Sequence, residues 1–156
     1  MSINHIGATL AIATGRPATL DSTGYGALSW EEATAGTVSI GAIGDTNETI
    51  TVPDITTGRN TTLKGAVTGD TVNIALSRQI VAGTGAQTAA QAAFQAAAQA
   101  QGGEYSIRVT ERDGIIHYFT GAVMNWKNTE MTTTSYAGFT FDVALNTQEV
   151  VVYPAP

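Results

Sequence analysis

Phe139-Thr140-Phe141-Asp142-Val143-Ala144-Leu145 sets Phe139, Phe141, Val143 and Leu145 against Thr140, Asp142 and Ala144 at every second position, and its reading decides the fold. Strict period-two alternation marks a strand with one buried face. Working outward, Val72, Ile74 and Leu76 alternate against Asn73, Ala75 and Ser77 within Thr71–Val81, and Tyr105, Ile107 and Val109 alternate against Ser106, Arg108 and Thr110. Asp113-Gly114 then reads as a two-residue hairpin turn with both central positions at positive φ, and the return strand runs Ile115–Trp126. Further strands are expected at Ile6–Thr14, Tyr25–Trp30 and Thr37–Ile43. Glu149–Tyr153 either continues the strand of Phe139–Leu145 or forms a tail ended by Pro154 and Pro156. Gly44–Lys64 reads as the longest polar connection, broken by a short apolar piece, Thr49–Val52, with turn chemistry at Pro53-Asp54 and Gly58-Arg59-Asn60. A connection this long is expected to be functional or mobile.

One helix interrupts the strands. No charged residue occurs between Arg78 and Glu104, and most of that gap, Thr84 to Gln101, is Ala- and Gln-rich. Thr84 and Gln87 have capping-box spacing, and Gly102-Gly103 supplies a stop. Gln87, Gln91, Gln95 and Gln99 step by four residues and so form one polar stripe. Ala90, Ala93, Phe94, Ala97 and Ala98 form an apolar face of small residues with one anchor. A helix clothed only in neutral amides either meets solvent weakly or is covered by another subunit, where an unpaired ion would lose several kcal/mol of solvation. The expected fold is mainly β, a two-sheet β-sandwich or partial barrel with one flanking α-helix over about residues 85–101.

The 156-residue chain suits one domain and a real core. Hydrophobic content is 43% while charged content is only 13%, about half the usual share, which fits a surface consumed by self-association or the Thr/Ser surface of an extracellular β-domain. The net charge of −6 and seven scattered Lys and Arg residues lack the basic footprint of a nucleic-acid binder. With no cysteine there is no disulfide framework and no thiolate metal site. No apolar run approaches the roughly 18 residues that span a bilayer. No secretion signal is visible ahead of the short apolar stretch Ala8–Ala13, so a soluble protein made in a cytoplasm is expected.

Residues for catalysis are not evident. His5 and His117 have no partner at ligand spacing, and His117 reads as an ordinary strand residue. Glu31 and Glu32 are adjacent and so point to opposite faces of a strand. Gly83-Thr84-Gly85 lacks the rest of a phosphate loop, and Lys64 is followed by Gly65 rather than a hydroxyl residue. There is no Gly-x-Ser-x-Gly elbow and no calcium-loop spacing. An enzyme, a cofactor and a metal are therefore not expected.

From Thr49 onward the order of signals resembles the major tail tube proteins of long, non-contractile-tailed bacteriophages of the siphovirus type. The matching stretches are Ile50-Thr51-Val52-Pro53-Asp54-Ile55-Thr56-Thr57-Gly58-Arg59, Leu63-Lys64-Gly65, Gly69-Asp70 leading into Val72–Leu76, the Ala-rich helix, Tyr105-Ser106-Ile107-Arg108-Val109, Asp113-Gly114, and Tyr118-Phe119-Thr120-Gly121-Ala122-Val123. The resemblance covers the last two thirds of the chain. It implies a structural virion protein whose hexameric rings stack into a hollow tube that carries DNA into the host. Its partners would be further copies of itself, tail terminator, tail tip and tape measure proteins, and DNA in transit without specific binding. It would be assembled in the host cytoplasm and end in the virion tail. The assembly loop would be Gly44–Lys64, and the arms Met1–Thr9 and Gln148–Pro156. Asp54, Arg59, Gln91 and Gln95 are candidate contacts between subunits.

Physical chemistry is consistent with that reading. Rings stacked through heterologous faces make an open filament, and a basic bore would hold DNA through salt-dependent phosphate contacts. An acidic lining lets it slide, and Asp45, Glu48, Asp70 and Asp142 are the candidates. Two other readings remain open. One is the tube or shaft subunit of a related secretion machine, such as a type VI tube. The other is a carbohydrate-binding adhesin-type β-domain that stacks sugars on Tyr25, Trp30, Trp126 or Tyr136.

Overall fold

In the computed structural model, which describes residues 4–156, the alternating stretches join into one antiparallel sheet. Its strands are β1 (Thr9–Thr14), β2 (Glu31–Ala33), β3 (Thr37–Ile40), β6 (Thr71–Ser77), β7 (Tyr105–Thr110), β8 (Ile116–Asn128), β9 (Gly138–Leu145) and β10 (Val150–Val152). A separate two-stranded sheet is formed by β4 (Asp45–Asp54) and β5 (Arg59–Gly69). Two helices, α1 (Ser22–Gly26) and α2 (Ala89–Gln99), complete the chain. The fold is mainly β with a flanking helix, as the alternation implies.

The main sheet runs β2-β1-β7-β8-β9-β6-β3, with β10 on β8. β2 and β3 stand at opposite ends of that path, yet only Thr34-Ala35-Gly36 separates them in the chain. Four Cα steps reach at most ~15 Å, so the sheet has to curl until its two ends nearly meet. The ends do not pair, and the barrel stays open. β10 takes up the edge of β8 where β9 leaves it: Leu145 lies opposite Gly121 and Val150 opposite Tyr118. The expected C-terminal arm, Gln148–Pro156, is therefore in part a docked strand. Of the expected N-terminal arm, residues 1–3 lie outside the described residues.

Register explains the core. Leu10 faces Val109, Ile107 faces Phe119, Val123 faces Val143, Val143 faces Val72, and Phe141 faces Ile74. These side chains share one face and one buried cluster with Ala90, Phe94 and Ala97 of α2. Phe94 stacks on Phe141 at 5.1 Å between ring centroids. Simple alternation along β8 would turn Trp126 outward. A bulge between Met124 and Lys127, with Asn125 at φ +59°, reverses it, and the indole stacks on Phe139 and Phe141.

Three local expectations are corrected. Tyr25–Trp30 is not a strand. Asp21 caps α1 by accepting from the Gly24 N–H at 2.8 Å, and Tyr25 is enclosed on the second face of the sheet, its hydroxyl 3.0 Å from Thr120 Oγ1. A buried tyrosine needs that polar partner, and the loop around α1 delivers it. The β7–β8 turn is not a two-residue I′ loop. Among the described non-glycine residues only Asn125 has positive φ, so Asp113 does not adopt the conformation that turn needs. Gly114 alone does, at φ +92°, closing a three-residue loop in which its N–H donates to Glu111 O. The helix begins at Ala89 with Thr88 at the cap position, not at Thr84. The Thr84 hydroxyl serves a preceding turn instead, donating to Val81 O and accepting from Ala86 N.

Candidate assembly surface

Gly44–Lys64 is not a loop. Thr, Val and Ile are strand formers, and from Asp45 to Gly69 the chain makes a hairpin whose register runs from Asp45 opposite Gly69 to Asp54 opposite Arg59. Ten residues at about 3.3 Å each give β4 a length of roughly 33 Å. Ile50 lies directly opposite Leu63 and Val52 opposite Thr61, so one face carries an apolar row. Thr49, Thr51 and Pro53 lie opposite Lys64, Thr62 and Asn60 on the other. Ile50 is 52% exposed, Leu63 48%, and Ile55 at the tip is fully exposed.

The base and tip of the hairpin are held firmly. Only Asp70 separates β5 from β6, and its carbonyl accepts from Leu145 N. A Cβ on Gly69 would lie 2.2 Å from Leu145 O, so only glycine lets the two backbones cross there. At the tip, Asp54 Oδ1 accepts from the Thr56 and Thr57 N–H groups at 2.8 and 3.4 Å. Those backbone bonds, Thr56 first, hold the Asp54 carboxyl below its ordinary range. Asp54 and Arg59 thus sit as a register pair at the exposed tip.

The four acidic candidates do not gather on one surface. Asp45 and Asp70 sit at the hairpin base, where Thr46 Oγ1 donates to Asp70 Oδ1 at 2.6 Å, and Glu48 lies further up β4 in the bulge beside Gly65. Asp45 shares a recess there with Asn47, Lys64 and Gln148. Asp142 lies in the middle of the second face of the main sheet, opposite Asn73 and Met124. Its carboxylate accepts from Asn125 Nδ2 at 2.9 Å and Asn73 Nδ2 at 2.8 Å, and these bonds, Asn125 first, lower its pKa. Lys127 adds a weaker electrostatic contribution.

The glutamine stripe is broken. Gln91 is fully buried in its own subunit: Oε1 accepts from Gln79 N at 3.0 Å and Nε2 donates to Ser77 O at 2.6 Å. An amide satisfies one donor and one acceptor of the β6–α2 connection at once, and that local need outweighs any outward role. Gln95 is half-buried beside Arg78 and Gln87. The exposed face of α2 is instead Ala89, Ala92, Ala96 and Gln99.

The aromatic residues suited to stacking sugars are mostly committed elsewhere. Tyr25 stacks on Tyr118 at 4.9 Å, Trp126 lies against Phe139, and Arg108 covers Trp30, whose Nε1 donates to Tyr25 O. Tyr136 remains exposed. His117, read as a partnerless strand residue, has two partners, Glu111 and Glu149. The Glu111 contact was legible: across the β7–β8 turn, alternation puts both side chains on one face. The Glu149 contact required knowing that β10 docks beside β8.

No protein-family model matches the chain, and no curated protein matches it. Its fold is similar to that of solved structures from large assemblies. A chain of the anti-feeding prophage (AFP) baseplate, determined with six-fold symmetrisation, matches at TM-score 0.61 and 8% identity, over 98% of this chain and 96% of that one. A chain from the tail of an empty GTA particle, refined helically with C6 symmetry, matches at TM-score 0.57 and 17% identity, over 99% of this chain and all of the other. A chain of the PVC sheath-tube complex of an extracellular contractile injection system in the extended state matches at 0.55 and 11%, over 93% and 88%. At these identities the likeness is one of fold.

Proposed function

We propose that this chain is a structural tail tube subunit whose copies form hexameric rings that stack into a hollow tube conducting DNA. The single observation that carries the reading is the β4–β5 hairpin. An isolated two-stranded hairpin is marginal in water at best, yet this one has nine register pairs and leaves Ile50, Val52, Leu63 and Ile55 bare. Those side chains call for cover, and a neighbouring copy in a repeating stack supplies it to every subunit alike. Six-fold order is supported by the C6 tail, whose chain this one matches end to end. In such a tube, tail terminator, tip and tape measure proteins occupy the ends and the bore. The low positive charge suits DNA that passes without being gripped. The Asp142 face is the candidate lining.

The siphovirus-type tail is the form favoured by the order of sequence signals. A tube belonging to a contractile injection machine is the second reading, favoured by the fold shared with the PVC sheath-tube complex and the AFP baseplate. Negative-stain microscopy of the concentrated protein tests the common element. Rings or tubes about six subunits around are expected, and a monodisperse monomer at every salt concentration overturns it. Recovery of assembled particles with or without a sheath then separates the two machines.

A further inference from the structure

Two histidines and two glutamates away from the hairpin form one row of contacts. His117, on β8, lies on the core face at the open end of the sheet with a side chain only 22% exposed. Its Nε2 faces Glu111 Oε2 at 3.1 Å, and its Nδ1 makes a short contact with Glu149 Oε1. The other Glu111 oxygen meets His5 Nδ1 at 2.7 Å. The row therefore joins three segments: the chain ahead of β1, the β7–β8 turn, and the chain ahead of β10. It forms one wall of an open groove of about 890 Å³. The opposite wall, residues 37–43, carries no titratable side chain, and Arg112 in the turn lies along Gly7.

Both ring nitrogens of His117 face carboxylate oxygens. An ionised carboxylate only accepts, and a neutral imidazole has a single N–H, so only the imidazolium satisfies both contacts. Burial opposes that charge. The hydrogen bonds to Glu111 and Glu149 outweigh it, and the His117 pKa is raised. The hydrogen bond from His117 in turn lowers the Glu111 pKa. Among the described residues no group of three or more His, Cys, Asp or Glu is arranged to hold a metal ion, and here the donors and acceptors pair off along a row rather than converge.

We propose that Glu111, His117 and Glu149 form a protonation-dependent clasp that docks the segment ahead of β10 on the β7–β8 turn, beside the His5 contact, and loosens that segment when His117 loses its second proton. A raised histidine pKa contributes stability that is complete below the ordinary value of about 6.5 and is lost as pH rises through the raised one. A lowered glutamate pKa contributes stability that is complete above the ordinary value of about 4.3 and is lost as pH falls through the lowered one. The clasp is closed between those limits and opens on the alkaline side as His117 loses its second proton. It goes beyond the tube reading and stands without it.

Amide hydrogen exchange of the full chain tests it, as protection corrected for intrinsic exchange at about pH 6 and about pH 9, on either side of the histidine range. Protection of Val150–Val152 should fall about tenfold for each unit by which the His117 pKa exceeds its ordinary value. In His117→Gln the fall between the two points should be smaller by that factor. Glu149→Gln, which leaves the β7–β8 turn intact, should lower protection of Val150–Val152 at the acidic point. Equal protection at the two points in the parent chain, or a fall as large in His117→Gln, overturns the clasp.

Discussion

β9 and β4 are both strands in which apolar β-formers alternate with polar or small residues, and they meet opposite ends. In β9, Phe139, Phe141, Val143 and Leu145 are at most 5% exposed, paired with β8 on one edge and β6 on the other. In β4, Ile50 and Val52 are 52% and 44% exposed, and among the described residues β5 is the one strand paired with it. Both segments alternate, so alternation alone does not distinguish a core strand from an exposed one. The difference lies in what stands above the apolar face: α2 and its Phe94 over one, and none of the described residues of the same chain over the exposed Ile50 and Leu63 of the other. On the hairpin the apolar row of Ile50, Leu63 and Val52 stays exposed, which is why the proposed tube places a neighbouring copy over it.

The largest effect is expected on the core side. Phe94→Ala should cost about 3–5 kcal/mol of subunit stability, since it removes the ring between α2 and Phe141. Urea titration of the monomer measures it, and a loss below 1 kcal/mol would mean that α2 does not anchor the sheet. Next comes Gln91→Glu, expected to cost about 1–3 kcal/mol. It replaces the donor to Ser77 O with a carboxylate oxygen inside the subunit. If the same variant keeps full stability and only fails to assemble, Gln91 faces a neighbour after all.

The hairpin side should behave in reverse. Ile50→Ser with Leu63→Ser should leave monomer stability within about 0.5 kcal/mol and abolish rings and tubes in the micrograph. Equal loss of stability and assembly would place those side chains in the subunit's own core. The smallest effect concerns acid. Asp142, with its pKa lowered by Asn125 and Asn73, contributes stability that is present above the ordinary carboxylate range and is lost as pH falls through the lowered value. Asn73→Ala should move the onset of acid unfolding to slightly higher pH, and an unmoved onset would remove Asn73 from that network.

The strands with strict alternation were legible from residues alone, because a half-buried strand needs period two wherever it lies. So was a helix beside them, although only its Ala89–Gln99 core survives. The hairpin was misread as a loop, since exposed Thr and Asn on both strands look like a connection when no buried face announces a strand. Trp126 was similarly ambiguous: only the bulge at Asn125 turns it inward. The four-residue spacing of the glutamines predicts one polar stripe, which the structure breaks: Gln87 precedes α2 and Gln91 is buried. Gln91 points inward because β6 and the chain after it leave an N–H and a carbonyl that need a partner.

By itself, then, the sequence determined local periodicity, the mainly β class, the sparse charge and the absence of cysteine, all of which are properties of neighbours along the chain. The tertiary structure decided which apolar faces are covered, which amide is buried, that three segments bring His5, Glu111, His117 and Glu149 together, and that the sheet curls yet stays open. Those outcomes depend on contacts between residues far apart in the chain, Glu149 and His117 among them, and on the short Thr34–Gly36 link that draws the two ends of the sheet toward each other.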